Sequence, residues 1–551
     1  MAASRTDLLA VASERVQALR ASLEAIHGAP VPLVETHISW VLLTGSLAYK
    51  FKKPVKLAFL DFSTLALRRR YCKEELRLNR RLAASLYLDV VNVCDGSDGP
   101  QFGGAGGVGA VVDVAVRMRR FPDGALWSEM AAAGTLAPRH IDALAQRLAD
   151  FHRDAPVAPP DSPYGSAACH ERVTRGLIDA IDARHSAIAP LRSPSSASPT
   201  IPSIPSTPPI DWPVLRAWLG RQQQALAPVW PARLRAGRIR ECHGDLHLAN
   251  VLQLDGEATA FDGIEFDDAM RWIDVLYDIA FVAMDLLANV RRDLAFRFIN
   301  AYLAASGDYD GLPALRYYMV CRALVRAEVT AIGAGHGLHS AARCGTADYL
   351  ALAAALSGSA DARLAITHGL PGSGKSFIAQ AVIEETGAIL VRADVERKRL
   401  FGLGALQSSH DLVQGGIYGE ATTQRSYSRL RDIATVALTA GWPVVVDAAF
   451  LLRWQRAGFA ALAAAHRVPF SIFDCRADLP LLRERIVKRQ AAGADPSEAD
   501  VAVLERLVGV QEPLDDAELA VAIVVDAAVP IASIAPAALA QRWLAAVCDK
   551  R

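Results

Sequence analysis

The sequence predicts two modules of different fold class: a bilobal α+β module, followed by an α/β module with a parallel sheet. Three observations support this prediction. The chain has 551 residues, more than a single hydrophobic core usually holds. Residues 369–376 read Gly-Leu-Pro-Gly-Ser-Gly-Lys-Ser, a phosphate-binding pattern between a short apolar run and a helical segment. Residues 243–250 have the spacing H-x-D-x-x-x-x-N and precede a hairpin pattern.

Composition and charge narrow the classes of function. Lys plus Arg and Asp plus Glu both number 59, so the formal charge is zero and favours neither nucleic acid nor an anionic membrane as partner. The eight cysteines form no C-x-x-C pair, which argues against a zinc or redox site. A polar N-terminus and the lack of a long uninterrupted apolar stretch predict a cytoplasmic protein without a membrane segment.

Composition breaks predict the order of the modules along the chain. We expect the first module at 1–345, a linker at 346–361 and the second module at 362–551. Residues 193–209 are rich in Ser and Pro and bury too little apolar surface to offset the entropy of ordering them. They are predicted to form a mobile loop within the first module.

In the second module, short apolar segments alternate with helical ones. Strands are predicted at 364–367, 388–391, 443–446 and 471–474, and helices at 376–386, 395–401, 418–440 and 479–491. Such alternation predicts a parallel sheet covered on both faces. A ligand then binds at the carboxyl ends of the strands, where the phosphate-binding pattern lies.

The phosphate-binding pattern assigns a role to each position. Its glycines let backbone amides face phosphate oxygens, Lys375 reaches the β- and γ-phosphates, and the Ser376 hydroxyl is offered to Mg²⁺. The alternative is a glycine-rich turn that happens to carry Lys-Ser. We predict a site for ATP or another NTP, formed by Gly369, Leu370, Pro371, Gly372, Ser373, Gly374, Lys375 and Ser376.

Four further residues of the second module are candidates for chemistry. Asp447 ends an apolar strand, the position typical of an Asp that holds the hydration shell of Mg²⁺. The alternative is that Asp447 caps a helix or turn. Asp394 is a candidate to orient or deprotonate an acceptor hydroxyl, with a helix cap as the alternative. Arg485 and Arg489 share one helix face and are candidates to close over the phosphates, with a solvated basic helix as the alternative.

With these residues in place, the second module resembles the P-loop kinases of the zeta-toxin, polynucleotide-kinase and chloramphenicol-phosphotransferase type. The resemblance covers about 361–530 and includes the run Arg392-x-Asp394-x-x-Arg397. It implies that Asp394 lies by the acceptor hydroxyl. It leaves the acceptor open, because these relatives differ in theirs.

The first module carries a second candidate catalytic loop. In H-x-D-x-x-x-x-N loops the Asp accepts the proton of the substrate hydroxyl and the Asn holds Mg²⁺, which assigns these roles to Asp245 and Asn250. An acidic group after the next hairpin completes the metal site. Asp262 and Glu265 are both candidates, and the spacing leaves the choice open.

A nucleotide lobe is predicted ahead of this loop. Lys50, in Ala48-Tyr49-Lys50, is the candidate α/β-phosphate lysine, Lys52 on the same strand face is its alternative, and Glu75 is the candidate helix partner. The competing interpretation is a solvated strand edge. The glycine-rich cover is reduced to Thr44-Gly45-Ser46, which departs from G-x-G-x-x-G.

The first module resembles the aminoglycoside-phosphotransferase and choline-kinase superfamily, by His243-Gly-Asp-Leu-His-x-x-Asn250 and by Asp274-x-x-x-Asp278-Ile-Ala280. The resemblance implies a kinase-like bilobal fold and a supporting role for Asp278. The full layout is similar to bacterial fusions named bifunctional aminoglycoside phosphotransferase/ATP-binding protein.

We predict a Mg·ATP-dependent phosphotransferase with two nucleotide-binding domains and a small-molecule hydroxyl acceptor; the resemblance itself says little about the acceptor. One alternative is an ATP-hydrolysing regulatory protein whose kinase-like domain is a binding module that does not transfer phosphate. Another is a polynucleotide-kinase-like enzyme, which the zero net charge disfavours. Phosphorylation of aminoglycosides is not favoured, because a polycation needs an acidic pocket, for which the candidates are Asp267, Asp268 and Asp285.

Overall fold

The computed structural model describes residues 5–57, 60–97, 99–103, 109–188, 211–335, 346–405, 407, 419–492, 497–526 and 535–546. The loop predicted at 193–209 lies outside this range. By spatial contacts the chain forms two compact units. The first comprises Met1–Leu136, Phe151–Asn289 and Tyr318–Ala354, and the second comprises Ala137–Asp150, Val290–Tyr317 and Ala355–Arg551. The linear boundary at 346–361 stays a prediction.

The first unit begins with a six-stranded antiparallel sheet in the order β1-β2-β3-β6-β4-β5. Helices α1 (Arg5–His27) and α2 (Leu65–Ala83) cover opposite faces of this sheet. Alternate residues of a strand point to opposite faces, so one strand packs against both helices. Tyr49 and Phe51 face the α1 side, and Ala48 faces the α2 side. The strands are β1 Leu33–Glu35, β2 Ser39–Leu43, β3 Leu47–Lys52, β4 Tyr87–Gly96, β5 Gly99–Gly103 and β6 Val111–Arg119.

The rest of the first unit is mainly helical, with two small antiparallel pairs. Strand β8 (Val251–Leu254) pairs with β9 (Glu257–Ala260) through Asp255 and Gly256, both at positive φ, as an Asp-Gly hairpin turn requires. Strand β7 (Ile239–Glu241) pairs with β10 (Trp272–Asp274). The helices here are α3 Trp127–Ala133, α5 Ala167–Ile188, α6 Trp212–Leu226, α7 Val229–Arg235, α8 Asp268–Arg271 and α9 Val275–Ala288.

The second unit contains a five-stranded parallel sheet in the order β12-β13-β11-β14-β15, which confirms the predicted α/β class. The strands are β11 Leu364–His368, β12 Ile389–Arg392, β13 Val444–Asp447, β14 Phe470–Arg476 and β15 Ala522–Asp526. Its helices are α10 Arg292–Ser306, α13 Lys375–Thr386, α14 Ala393–Arg399, α15 Glu420–Thr439, α16 Arg453–His466, α17 Leu479–Ala492, α18 Val501–Val510, α19 Asp516–Ala520 and α20 Pro536–Ala545.

Three helices contribute residues to both units. They are α4 Pro138–Asp154, α11 Leu312–Gly335 and α12 Thr346–Gly358. Among the helices within the described ranges, none combines the length and the apolar composition needed to cross a membrane.

Candidate active sites

Two lysines of β3 meet one glutamate of α2 inside the first unit. Lys50 Nζ lies 2.8 Å from Glu75 Oε1, and Lys52 Nζ lies 2.7 Å from Glu75 Oε2. Both lysines reach the same carboxylate because residues two apart on a strand share a face. Glu75 is fully buried and Lys52 is 1% exposed, so the interpretation as a solvated strand edge does not hold for this pair.

The two acids left open by the sequence each contact one of these lysines. Lys50 Nζ bonds to Asp262 Oδ1, and Lys52 Nζ bonds to Glu265 Oε1. The Asp262 side chain is 39% exposed and its backbone has a φ of 63°, whereas the Glu265 side chain is 5% exposed. Asp262 therefore has carboxylate surface open to a ligand, and Glu265 is enclosed in a buried ion pair.

Electrostatics separates the two buried acids of this cluster. Burial works to raise the pKa of Glu75, but the charges of Lys50 and Lys52 outweigh it and lower the pKa to about 2. For Glu265 burial prevails over Lys52, and the pKa is raised. Burial alone would lower the pKa of Lys50, yet Asp262 and Glu75 raise it well above the ordinary value. Lys50 is therefore a permanent cation.

The candidate catalytic loop follows β7 and ends in a 3₁₀ turn, Leu248–Asn250. Asn250 Nδ2 donates to the backbone oxygen of Asp245 at 2.9 Å and to its Oδ2 at 3.0 Å. His247 Nδ1 accepts from the Ala249 amide at 3.2 Å, so in the neutral ring its proton is on Nε2, 3.5 Å from Asp245 Oδ2. Burial works to raise the pKa of Asp245, but His247 and Arg326 hold it well below the ordinary value.

Asp278 of α9 holds the start of this loop. Its Oδ2 accepts the amide of His243 and its Oδ1 accepts the amide of Gly244, each at 2.9 Å. Gly244 has a φ of 87°, and a Cβ there would lie 2.7 Å from the carbonyl oxygen of Met270, so no other residue fits without strain. Burial works to raise the pKa of Asp278, but the hydrogen bond with His152 and these amides lower it to about 2.

The phosphate-binding pattern forms a loop between β11, the central strand of the parallel sheet, and α13. Gly369 has a φ of 138°, and a Cβ there would lie 2.5 Å from the carbonyl oxygen of Cys475. Gly372 has a φ of 85°, and a Cβ would lie 2.9 Å from the carbonyl oxygen of Leu482. Lys375 Nζ donates to the carbonyl oxygen of Leu370 at 2.8 Å, and burial lowers its pKa. An anionic phosphate would therefore favour its charged form.

Asp447 ends β13 next to this loop. Because β13 and β11 run parallel in register, Asp447 comes beside Thr367, whose Oγ1 donates to Asp447 Oδ1 at 3.4 Å. Arg392, at the end of β12, places its Nε 3.6 Å from Asp447 Oδ2. Ser376 lies in the first turn of α13 and is half-buried. The end of β13 and the start of α13 thus bring oxygen ligands to the carboxyl edge of the sheet, and the end of β12 adds one cation.

The remaining candidates of the second unit lie on two helices. Asp394 lies inside α14, whose N-cap is Arg392, and its Oδ1 is 3.2 Å from Arg397 Nη1. It therefore does not act as the N-cap residue. On α17, Arg485 Nη1 is 3.5 Å from the carbonyl oxygen of Gly372, and Arg489 Nη2 donates to the carbonyl of Ala499 at 2.7 Å. Arg485 thus contacts the phosphate-binding loop directly.

The sequence did not single out Arg322 and Arg326 on α11, which lie beside the catalytic loop. They have the i, i+4 spacing that drew attention to Arg485 and Arg489, so the same signal was available. Thr367 was also missed, because a threonine within an apolar strand reads as an ordinary strand residue.

Two family models match separate parts of the chain. The model of the phosphotransferase enzyme family (APH) matches residues 58–318, and the model of an AAA domain (AAA_33) matches residues 364–514. Uncharacterized proteins of Mycobacterium tuberculosis and Mycobacterium bovis are each 31% identical over 471 residues, or 85% of this chain and 88% of the relative.

Two solved structures align with separate parts of the chain. A choline/ethanolamine kinase family protein from Mesorhizobium loti covers 62% of this chain and 93% of its own, at 14% identity and a TM-score of 0.35. A gluconokinase from Sinorhizobium meliloti covers 33% of this chain and 91% of its own, at 20% identity and a TM-score of 0.24.

Proposed function

Because the chain belongs to the family of these mycobacterial relatives, and joins a phosphotransferase domain to a P-loop kinase domain, we propose that it is a two-site phosphotransferase. Each site uses Mg·ATP and transfers the γ-phosphoryl group to a hydroxyl of a small molecule. The acceptor of the first site is taken up in the next subsection.

One observation carries the proposal for the first site: Lys50 bonds to Glu75 and to Asp262 at once. These residues were selected separately from the sequence, on a strand, a helix and a hairpin exit far apart along the chain. A lysine paired to a helix glutamate and an acid that binds metal is the arrangement that positions ATP phosphates in kinases. A purely structural role gives no reason for a half-exposed aspartate at positive φ in this position.

The oxygen donors present suit Mg²⁺, which prefers carboxylate, amide and hydroxyl oxygens. In the first unit Asp262 and Asn250 would hold it, since Asn250 donates through Nδ2 and keeps its amide oxygen. Glu265 is less suited, because its carboxylate is buried against Lys52. In the second unit Ser376 and Asp447 would hold it. When bound, the ion neutralises charge on the β- and γ-phosphates.

The protein residues account for the rest of the transfer at the first site. The acceptor oxygen attacks the γ-phosphorus, the bond from that phosphorus to the β,γ-bridging oxygen breaks, and ADP leaves. Asp245 is ionised at neutral pH and takes the proton of the acceptor hydroxyl as the new bond forms. Asn250 and His247 fix its orientation.

At the second site the loop amides, Lys375 and Arg485 would stabilise the phosphates, and Asp394 would take the acceptor proton. Contact of Arg485 with the Gly372 carbonyl supports this role, as it brings a guanidinium to the loop. Arg489 is committed to the Ala499 carbonyl, so its role as a second phosphate ligand requires that bond to exchange.

The proposal is tested by the stoichiometry of Mg·ATP binding and by turnover of the wild type, Lys375→Ala and Asp262→Asn. We expect two bound nucleotides in the wild type and one in each variant. Each variant should lose a different share of turnover, and the double variant should lose both shares. The wild type could instead bind only one nucleotide, and Lys375→Ala none. That result would mean that the first unit is a binding module and not a phosphotransferase.

A further inference from the structure

We propose that the acceptor of the first site is an anionic hydroxy compound, whose carboxylate or phosphate group binds Arg326 while its hydroxyl faces Asp245. This inference rests on the proposed function, because Asp245 marks the position of the reacting hydroxyl. It names the class of substrate that the family resemblance leaves open.

The acids that a polycationic acceptor would need are already engaged. Asp285 is buried; its Oδ2 accepts the Leu248 amide at 2.9 Å and its Oδ1 accepts the hydroxyl of Tyr349 at 3.0 Å. Asp267 caps α8 through the Ala269 amide at 2.8 Å, and Asp268 pairs with Arg271. Asp285 is thus buried and fully engaged, whereas Asp267 and Asp268 have protein partners at the surface, where Asp268 stays 59% exposed.

Helix α11 instead brings positive charge to the side of the catalytic loop. Arg322 and Arg326 share a face because four residues separate them. The guanidinium of Arg322 lies 3.8 Å from the ring centroid of Tyr277 and 4.6 Å from that of Phe281. The Phe281 ring is also 5.5 Å from the ring of His247, the neighbour of Asp245. This arginine face therefore adjoins the catalytic loop.

Arg326 belongs to the same arginine face as Arg322. Its guanidinium lies 5.7 Å from the ring centroid of Tyr349, whose hydroxyl holds Asp285. Its charge is also close enough to Asp245 to help lower the pKa of that carboxyl. The guanidinium of Arg326 therefore lies within electrostatic range of Asp245, where the acceptor hydroxyl would bind.

Both arginines retain unused hydrogen-bonding capacity. Within the described ranges, Arg326 Nε and Arg322 Nη2 are buried and have no hydrogen-bond partner. A buried donor without a partner costs about 1–3 kcal/mol, which an oxygen of a bound anion would offset once the guanidinium turns toward it. Guanidinium groups bind carboxylates and phosphates through paired hydrogen bonds, so an anionic group is the ligand that fits this arginine face.

The experiment uses full-length protein with Lys375→Ala, so that turnover reports the first site. ATP-dependent phosphorylation is measured with pairs that differ in charge: glycerol against glycerate and glycerol 3-phosphate, and xylitol against xylonate. Kanamycin is the cationic comparison. The arms with glycerate and glycerol 3-phosphate distinguish a carboxylate from a phosphate as the anionic group.

We expect kcat/KM to favour the anionic member of each pair by on the order of 10²-fold, mainly through KM. Arg326→Gln should abolish this preference and Arg326→Lys should keep part of it. Arg175→Gln removes an equal charge at an exposed site of α5 and should keep it whole. Preference for kanamycin or the neutral polyols, or an unchanged preference in Arg326→Gln, overturns the inference.

Binding without ATP separates failure of the inference from failure of the proposed function. Calorimetric titration with xylonate and glycerol 3-phosphate tests the anion site directly. Binding that disappears in Arg326→Gln supports the anionic class even if no phosphate is transferred. Turnover that depends on Asp262 but ignores acceptor charge keeps the proposed function and overturns the anionic class.

Discussion

Lys52 shows how much a single buried charge depends on its neighbours. Lys52→Met leaves Glu265 without its cation and Glu75 with Lys50 alone, so we expect the free energy of unfolding to fall by about 3–5 kcal/mol. Adding Glu265→Gln removes the unpaired charge and should recover most of that loss. Urea unfolding of both variants and of the wild type measures the effect.

The matched control is Arg175→Gln, which breaks an exposed pair with Glu171 on α5 and should cost less than about 0.5 kcal/mol. Equal costs for Lys52→Met and Arg175→Gln would contradict the buried network. A double variant no more stable than Lys52→Met would show that the loss comes from packing and not from the unpaired glutamate.

His170 predicts a pH dependence of stability. Its ring stacks on Trp230 at 4.5 Å and on Tyr318 at 5.5 Å, and burial lowers its pKa from 6.5 to about 4. Between these values the unfolded chain binds a proton that the folded chain does not. The free energy of unfolding is therefore not lowered by this histidine above pH 6.5, and it falls by up to about 3 kcal/mol as the pH drops toward 4.

His170→Phe keeps the stacking and removes the titration, so the part of the pH slope between 6.5 and 4 should disappear. Unfolding by urea at a series of pH values provides the measurement. His27→Gln removes an exposed histidine of α1 and should leave the slope as it is. A wild-type slope that persists in His170→Phe would assign the effect to other groups.

At the scale of elements, α10 protects the open edge of the parallel sheet. Strand β12 is an edge strand, and Asn300 of α10 accepts the amide of Leu390 at 2.6 Å and donates to the carbonyl of Ala388 at 2.9 Å. Unpaired groups on such an edge would otherwise be buried unsatisfied or open to pairing with another chain. One side chain therefore satisfies one amide and one carbonyl of this edge.

Asn300→Ala should lower the free energy of unfolding of the second unit by about 1–3 kcal/mol, because it leaves the Leu390 amide buried without an acceptor. Hydrogen exchange at Leu390 should become faster than at Leu364 in the central strand. The control is Gln424→Ala at an exposed position of α15. Unchanged exchange at Leu390 would mean that water reaches this edge.

Local patterns predicted most elements of the second unit. Each predicted strand and helix is present, with ends displaced by no more than two residues, because alternating apolar runs and the phosphate-binding loop are local signals. The patterns missed α16, α18, α19, α20 and β15. They also gave no sign that α10 covers β12, since Asn300 and Leu390 are 90 positions apart.

The candidate site in the first unit shows a similar limit. The strand period predicted that Lys50 and Lys52 share a face, but it does not say which acid each one meets. That depends on how the hairpin exit returns to the sheet, which brings Asp262 to Lys50 and Glu265 to Lys52. The catalytic and metal-binding roles of these residues stay predictions.

At the scale of the whole molecule, the second unit includes segments of the chain that precede the predicted linker. Besides Asn300, Arg316 lies 4.2 Å from the ring centroid of Trp442, and the Trp442 indole donates to the Leu312 carbonyl at 3.2 Å. A fragment of residues 362–551 keeps the sheet and the phosphate-binding loop but loses these contacts. Its edge strand and the Trp442 ring would then meet water.

We therefore expect the 362–551 fragment to unfold at lower urea than the second unit of the full chain, by more than the 1–3 kcal/mol or so assigned to Asn300 alone. The transition of the second unit is identified in the full chain as the one that Mg·ATP stabilises in the wild type and not in Lys375→Ala. A fragment that matches the full chain in stability and in Lys375-dependent nucleotide binding would show that residues 290–317 are dispensable. The expected result instead means that the stability of the second unit depends on helices encoded before the predicted linker.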